Sequence, residues 1–310
     1  MNENFNYITK VKIEGLWGFD DLNLVWELNR DVNVLAGPNG SGKSTVLKLV
    51  AALSNHKLKI REFLSPTLFF KVEVDYDGLV RTMESSKYAI SYYEDENKGI
   101  TNIKNCNYID SFDKFIPQEN IQKTTREGNI KTLLDLELFW LEQDYKNYLL
   151  DNSKAAFEIL NNKVSTIQHK EEAITHLNHK KNLFLKTIDQ LFAPTYKKID
   201  REANNIQFIL REEKIILPHQ LSSGEKQMLI ILLSTLIQNN QPAIMIMDEP
   251  EVSLHTDWQE SLIQNIRSLN ENVQIIIATH SPFIISQGWG DKVFQMEDLL
   301  ISTKYDKANR

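Results

Sequence analysis

Apolar positions change period several times along the chain, and each change marks an element. Ile8, Val11 and Ile13 lead into the hairpin-like passage GLWGFDDLNLVW, and Val32 to Ala36 then reads as a buried strand. That strand enters a glycine-rich turn and a helical stretch from Lys43 to about His56, with Val46, Leu49, Val50 and Leu53 on one face. From Phe69 the period returns to two, through Val72 and Val74 and then Tyr88, Ile90 and Tyr92, with turn signals at DYDG and DENKG. This portion predicts antiparallel strands beside a strand-loop-helix unit.

Between about Leu133 and Phe192 the period becomes helical. Leu134, Leu138, Leu141, Tyr145 and Leu149 fall three and four residues apart, and Phe157, Leu160, Val164 and Ile167 continue the pattern after a polar break. These helices are too brief for a long coiled coil and read as an inserted helical subdomain or short arm. A hairpin (Ile206, Phe208, Leu210, then Ile215 and Leu217) follows, and then helix alternates with the apolar strands Ile244 to Met247 and Val273 to Ala278. Alternation of that kind predicts an α/β fold with a parallel sheet flanked by helices. The expected organisation is one domain over 1–310. Its lobe 1–130 holds the first loop-helix unit and the antiparallel strands, 131–200 is the helical insert or arm, and 201–310 carries the later motifs. No internal repeat or low-complexity tract interrupts it.

Composition narrows the setting. At 310 residues, with 42% hydrophobic and 25% charged residues, the chain can bury a substantial core. Its one cysteine, Cys106, excludes an intramolecular disulfide and a four-cysteine zinc site, which fits a reducing, cytoplasmic location. MNENFNYITK does not read as a secretory signal, and the longest strongly apolar run, Met228 to Ile237, is half of the ~20 residues a membrane helix needs. A formal net charge of -7 gives no general attraction to nucleic acid. Lys57, Lys59 and Arg61, and His179 to Lys181, read as solvated faces.

Four motifs carry chemistry. GPNGSGKS, Gly37 to Ser44, fits G-x-x-x-x-G-K-[ST] between a strand and a helix. Its glycines let amides of Asn39, Gly40, Ser41, Gly42, Lys43, Ser44 and Thr45 turn toward phosphates, Lys43 neutralises β and γ charge, and Ser44 offers a hydroxyl to Mg2+. IMIMDEP ends a buried strand on two acids: Asp248 to hold Mg2+, and Glu249 to accept a proton from an attacking water. In QIIIATHSP, His280 ends another strand and can donate to a terminal phosphate oxygen. FIPQE places Gln118 in a loop where its amide can reach Mg2+ and the water. ATP and Mg2+ are therefore the expected ligands.

LSSGEKQ, Leu221 to Gln227, opens a further helix, where amides and Ser222 suit an anion and Gly224 permits close approach. A simple N-cap explains one serine and leaves the combination of Ser222, Ser223, Gly224 and Glu225 unexplained. The ordered set of phosphate loop, FIPQE, LSSGEKQ, IMIMDEP, EVSLH and ATHSP resembles the ATP-binding cassette (ABC) ATPases, over roughly Ile8 to Ala52 and Leu217 to Asp298 with Gln118 between. Glu225, where transporters favour glutamine, and Ser281, where they favour aspartate, point away from transporters, as does the want of a convincing upstream tyrosine to stack on adenine. The motifs are more similar to RecF-like and OLD-like ATPases, including the stand-alone AAA-family ATPases of Septu, retron and PARIS anti-phage modules.

That resemblance implies an ABC-ATPase fold, with a phosphate-loop parallel sheet, an N-terminal antiparallel sheet and an inserted helical subdomain. It also implies a head-to-tail homodimer enclosing two nucleotides, in which Ser222, Ser223, Gly224 and Glu225 of one chain face the nucleotide held by Lys43 of the other. About thirty residues follow His280, too few for the Toprim domain of OLD nucleases. The expected function is an ATPase that governs a separately encoded effector such as a nuclease in bacterial anti-phage defence, with nucleic acid contacted through that complex and no membrane partner. A RecF-like ATPase that clamps DNA directly is the alternative, and a transporter subunit is the least favoured reading.

Overall fold

A computed structural model of the chain describes residues 7–19, 22–54, 70–85, 90–94, 106–110, 130–162, 166–203 and 205–302. Along the first part run β1 (Ile8–Glu14), β2 (Leu22–Glu27), β3 (Val32–Ala36), α1 (Lys43–Ser54), β4 (Phe70–Tyr76), β5 (Leu79–Ser85), β6 (Ile90–Glu94) and β7 (Cys106–Asp110). The middle carries α2 (Leu133–Asn161), α3 (Ile167–Phe192), the two-residue strands β8 (Lys198–Ile199), β9 (Phe208–Ile209) and β10 (Ile215–Ile216), and α4 (Ser223–Ile237). The last part adds β11 (Ala243–Asp248), α5 (Thr256–Leu269), β12 (Val273–Ala278), β13 (Val293–Gln295) and β14 (Leu300–Ser302). Contacts group the chain into two compact units, 1–110 with 242–251 and 272–310, and 111–241 with 252–271.

In the first unit a parallel sheet runs β13-β3-β12-β11-β7, and an antiparallel sheet runs β14-β2-β1-β4-β5-β6. β11 and β12 are buried at every position, as strands covered on both faces must be. In the antiparallel sheet β4 alternates buried and half-buried residues, so Val72, Val74 and Tyr76 face one core. Helix α1 contributes Val46, Leu49, Val50 and Leu53 to that core, alongside Val11, Ile13 and Trp26 from one sheet and Ile244, Ile246 and Ile276 from the other. Both sheets thus share the helix that follows the glycine-rich loop, which fixes that loop at the carboxyl end of β3. β7 was not legible in the sequence: CNYID buries only Cys106 and Ile109, and what makes it a strand is its parallel register on β11, Asp110 opposite Asp248. Burial pushes the Cys106 thiol up to about 12, so it is inert packing and no nucleophile.

In the second unit α2 and α3 form a helical hairpin that packs with α4 and α5, and β8, β9 and β10 make a small antiparallel sheet. α2 starts on a capping box between Thr132 and Asp135 and continues unbroken to Asn161, so the polar stretch after Leu149 interrupts nothing. The described apolar positions beyond it are not core, and Val164 lies outside the described residues. Phe157 is 67% exposed, Ile167 is 78% exposed, and Leu150 and Leu160 are exposed as well. α4 is buried from Glu225 to Leu236, with a polar first turn and an unbroken apolar run from Met228 to Leu233, the pattern of a helix inside a core. No described helix is long and apolar enough to cross a membrane.

Candidate nucleotide site

The parallel sheet delivers three strand ends to one place. After β3, Gly37, Gly40 and Gly42 adopt φ of 153°, 77° and 97°, which turns the loop tightly before α1 begins at Lys43. Gly42 has a second reason to lack a side chain, because a Cβ there would run into the indole of Trp17. Trp17 is itself left-handed at φ 58° and sits in the short turn between β1 and β2. Sequence reasoning found no aromatic partner for this loop, because a tryptophan between two glycines in a turn gives no periodic signal.

Lys43 Nζ donates to the carbonyl oxygens of Gly37 at 3.0 Å and Pro38 at 3.1 Å, and meets His280 Nε2 at 2.7 Å. An ammonium can donate to that nitrogen only when the imidazole proton is on Nδ1. Burial lowers the Lys43 pKa against the opposing pull of Glu249, Asp248 and Glu251. Ser44 Oγ donates to Asp248 Oδ1 at 2.9 Å, so the two expected Mg2+ ligands already touch. Asp248 is 3% exposed, and burial raises its pKa, helped by the charges of Asp110 and Glu249 and opposed by the Ser44 hydroxyl and Lys48. A carboxylate whose charge is costly alone is well suited to a cation, so these residues fit Mg2+. Among the described residues Ser41 Oγ is buried with no hydrogen-bond partner, as expected of a hydroxyl that binds a ligand oxygen.

Glu249 follows Asp248 in left-handed backbone at φ 49°, an uncommon state for a glutamate. Its amide donates to the Ala278 carbonyl at 2.8 Å, tying the end of β11 to that of β12, and Oε1 lies 3.6 Å from His280 Nε2. Glu251 Oε1 accepts from the amides of His280 at 2.7 Å and Ser281 at 3.2 Å, which orients the histidine turn. Two acids the sequence reading passed over therefore belong here. Asp110 ends β7 opposite Asp248, and Glu251, read before only as part of the EVSLH loop, positions His280. Asn39 is exposed and Thr45 half-buried at the loop and the start of α1. Gln118 lies outside the described residues.

The LSSGEKQ turn belongs to the second unit, and its local chemistry explains more than a single cap. Ser222 and Glu225 form a capping box: Glu225 Oε2 accepts from the Ser222 amide and hydroxyl, each at 3.0 Å, and Ser222 Oγ accepts from the Glu225 amide at 3.4 Å. A Cβ on Gly224 would strike the Ser253 carbonyl oxygen. The serine, glycine and glutamate are thus all accounted for within this turn, which corrects the view that a cap leaves them unexplained. Ser222 and Ser223 remain exposed at the amino end of α4.

Comparison with known proteins gives a family and a fold. Residues 32–286 match the family described as "AAA domain, putative AbiEii toxin, Type IV TA system". Septu protein PtuA of Bacillus thuringiensis is 23% identical over 90% of this chain and 72% of its own length. The retron Vc95 probable ATPase of Vibrio cholerae serotype O1 biovar El Tor is 22% identical over 74% of this chain and 46% of its own length. The retron Ec83 probable ATPase of Escherichia coli is 25% identical over 49% of this chain and 32% of its own, so the chain spans less than half of either retron protein. Among solved structures, the SMC head bound to the C-terminal winged-helix domain of ScpA covers 97% of the chain at a TM-score of 0.57 and 14% identity. The SMC head with an extended coiled coil, from a complex derived from Pyrococcus furiosus, gives 0.56 at 16% over 98%. The fold is that of the ABC-type ATPase heads.

Proposed function

The chain belongs to that AAA-domain family, and on this premise we propose that it is a Mg2+-dependent ATPase that closes head to tail on ATP and governs a separately encoded effector, a nuclease, in bacterial anti-phage defence. The observation that carries the hydrolytic part is the convergence of Lys43, Ser44, Asp248, Glu249 and His280 at the ends of adjacent parallel strands. The defence setting and the effector rest on likeness to Septu PtuA and the retron ATPases.

In this reading the amides from Asn39 to Thr45 and the Lys43 ammonium hold the β- and γ-phosphates, and Ser44 and Asp248 hold Mg2+. Mg2+ held there would supply charge neutralisation to the phosphates. Glu249 takes the proton of the attacking water, and His280, held by Glu251, moves from Lys43 to a γ-phosphate oxygen. Gln118 adds an amide to water and metal. Ser222, Ser223 and Gly224 form the face that closes on the partner's nucleotide, supported by the exposure of both serines, and Glu225, expected in that face as well, is buried behind it as the cap that shapes the turn. The two-fold dimer then contains two equivalent composite sites.

Native mass measurement with and without ATP, on protein purified with its genomic neighbours, tests the reading. Glu249→Gln should lower turnover about 10²–10⁴-fold and hold a dimer in ATP, whereas Lys43→Ala should not bind nucleotide. Mixing Lys43→Ala with Ser222→Arg chains should restore one composite site. A Glu249→Gln protein that stays monomeric in saturating ATP refutes the sandwich, and salt-sensitive, ATP-dependent duplex DNA binding by the protein alone replaces the effector reading with the DNA clamp.

A further inference from the structure

The hydrolysis scheme uses the hydroxyls and amides that open α4, and leaves idle both Lys226 and the second carboxylate oxygen of Glu225. Neither group is a stray surface charge: Glu225 is 2% exposed and Lys226 7%. Glu225 Oε1 accepts from Thr195 Oγ1 and from Lys197 Nζ, each at 2.8 Å. Thr195 and Lys197 lie just past the end of α3, one root of the helical hairpin. Lys226 Nζ donates to Asp135 Oδ1 at 2.7 Å, and Asp135 stands in the first turn of α2, the other root.

The two pairs share one design. Glu225 caps α4 with one oxygen and takes the Lys197 ammonium with the other. Asp135 caps α2 with Oδ2, which accepts from the amides of Lys131 and Thr132, and takes the Lys226 ammonium with Oδ1. A cap needs only one carboxylate oxygen, so capping does not account for either ammonium. Neighbouring residues on a helix point about 100° apart, so Glu225 and Lys226 reach in different directions, one to each root. Burial opposes both carboxylate charges, yet the hydrogen bonds and ammonium partners hold both pKa values below the ordinary range, so both carboxylates are ionised at neutral pH.

We propose that Glu225 and Lys226 are a clasp that fixes the LSSGEKQ turn to both roots of the α2–α3 hairpin, so that closure of the ATP sandwich over Ser222 and Gly224 moves the hairpin. The proposal rests on the head-to-tail reading given above. Its physical basis is that a buried ion pair cannot stretch by degrees: separating the partners leaves a buried charge uncompensated, so the first turn of α4 carries both roots with it. These are positioning residues, and the hairpin, with its exposed Phe157 and Leu160, is the moving part.

The test is a distance between labels within one chain. The cysteine of the natural sequence, Cys106, is buried, so labels attach at introduced cysteines, Lys154→Cys on α2 and Asp257→Cys on α5, both exposed in the second unit. From Asp135 to Lys154 is roughly 28 Å of helix. A root shift of about 1–2 Å, acting against a helix spacing of about 10 Å, should therefore move the label by about 3–6 Å. In full-length Glu249→Gln protein, pulsed electron paramagnetic resonance should show that shift on adding Mg-ATP. Glu225→Gln, which keeps the capping box, and Lys226→Met should abolish the shift and broaden the distribution without nucleotide, while the ATP affinity of Lys226→Met, at a residue with no part in the nucleotide site, changes less than about twofold. Lys226→Arg should retain the shift. Persistence of the full shift in both clasp variants overturns the proposal, even if their melting temperatures fall, because lost stability with intact motion is the mark of a merely structural role. Mass measurement of the same samples reads the dimer separately. If the parent does not dimerise, the sandwich reading falls, and nucleotide-free distributions as narrow as the parent's then overturn the clasp by themselves.

Discussion

Gly42→Ala tests how the phosphate-binding loop is built. At φ 97° an alanine sits in left-handed backbone, which costs about 1–2 kcal/mol. Its Cβ would also press on the Trp17 ring, with Cε2 and Cη2 each at 3.1 Å and Cζ2 nearer still. Overpacking of that kind costs about 1–3 kcal/mol, and the loop cannot retreat easily because Lys43 Nζ is anchored to the Gly37 and Pro38 carbonyls. The expected loss is therefore about 2–5 kcal/mol, a large part of the ~5–15 kcal/mol that holds a domain. Trp17→Leu on top of Gly42→Ala should return the packing share and leave about 1–2 kcal/mol of backbone strain. Urea unfolding followed by circular dichroism and fluorescence together, for both single variants and the double, measures the coupling. A Gly42→Ala protein within about 0.5 kcal/mol of the parent, or a double variant no better than the single plus Trp17→Leu, refutes the close-approach argument.

Four further outcomes follow from the described contacts. Lys226→Met leaves Asp135 buried with only backbone donors and should cost about 3 kcal/mol in urea unfolding, most of it recovered by adding Asp135→Asn. Because the folded pKa values of Asp135 and Glu225 are depressed, their stabilisation is present above the unfolded carboxyl range and is lost as pH falls through the folded values. An acid titration of the Asp135→Asn, Lys226→Met double variant should accordingly be flatter at low pH than the parent's. The Asp248 pKa is raised instead, so the stabilisation it gives is fully present below the unfolded carboxyl range and is lost as pH rises through the folded value. Asp248→Asn should melt higher than the parent at pH 7 without Mg2+, yet lose Mg2+-dependent turnover. His280→Ala should bind ATP at least as well, since Lys43 loses a competing partner, while turnover falls about 10²–10³-fold in a steady-state phosphate-release assay.

The sequence by itself determined the local elements that chemistry forces. GPNGSGKS requires a glycine turn between a strand and a helix, and AIMIMD and VQIIIA are too evenly apolar to be anything but doubly covered strands. From those, the positions of Lys43, Ser44, Asp248, Glu249 and His280 followed, and the family resemblance ordered them. Partners distant in sequence were decided by tertiary structure alone. Asp110 joins the site because a weakly patterned strand finds its register on β11, and Trp17 meets Gly42 because two irregular turns converge. Phe157, Leu160 and Ile167 have core-like spacing but no opposing surface among the described residues, and periodicity records spacing, not what stands opposite. Glu225 was legible as a departure from the transporter motif. Its meaning was not, because the ammonium it binds lies 28 residues away in sequence and is brought there only by the packing of α3 on α4.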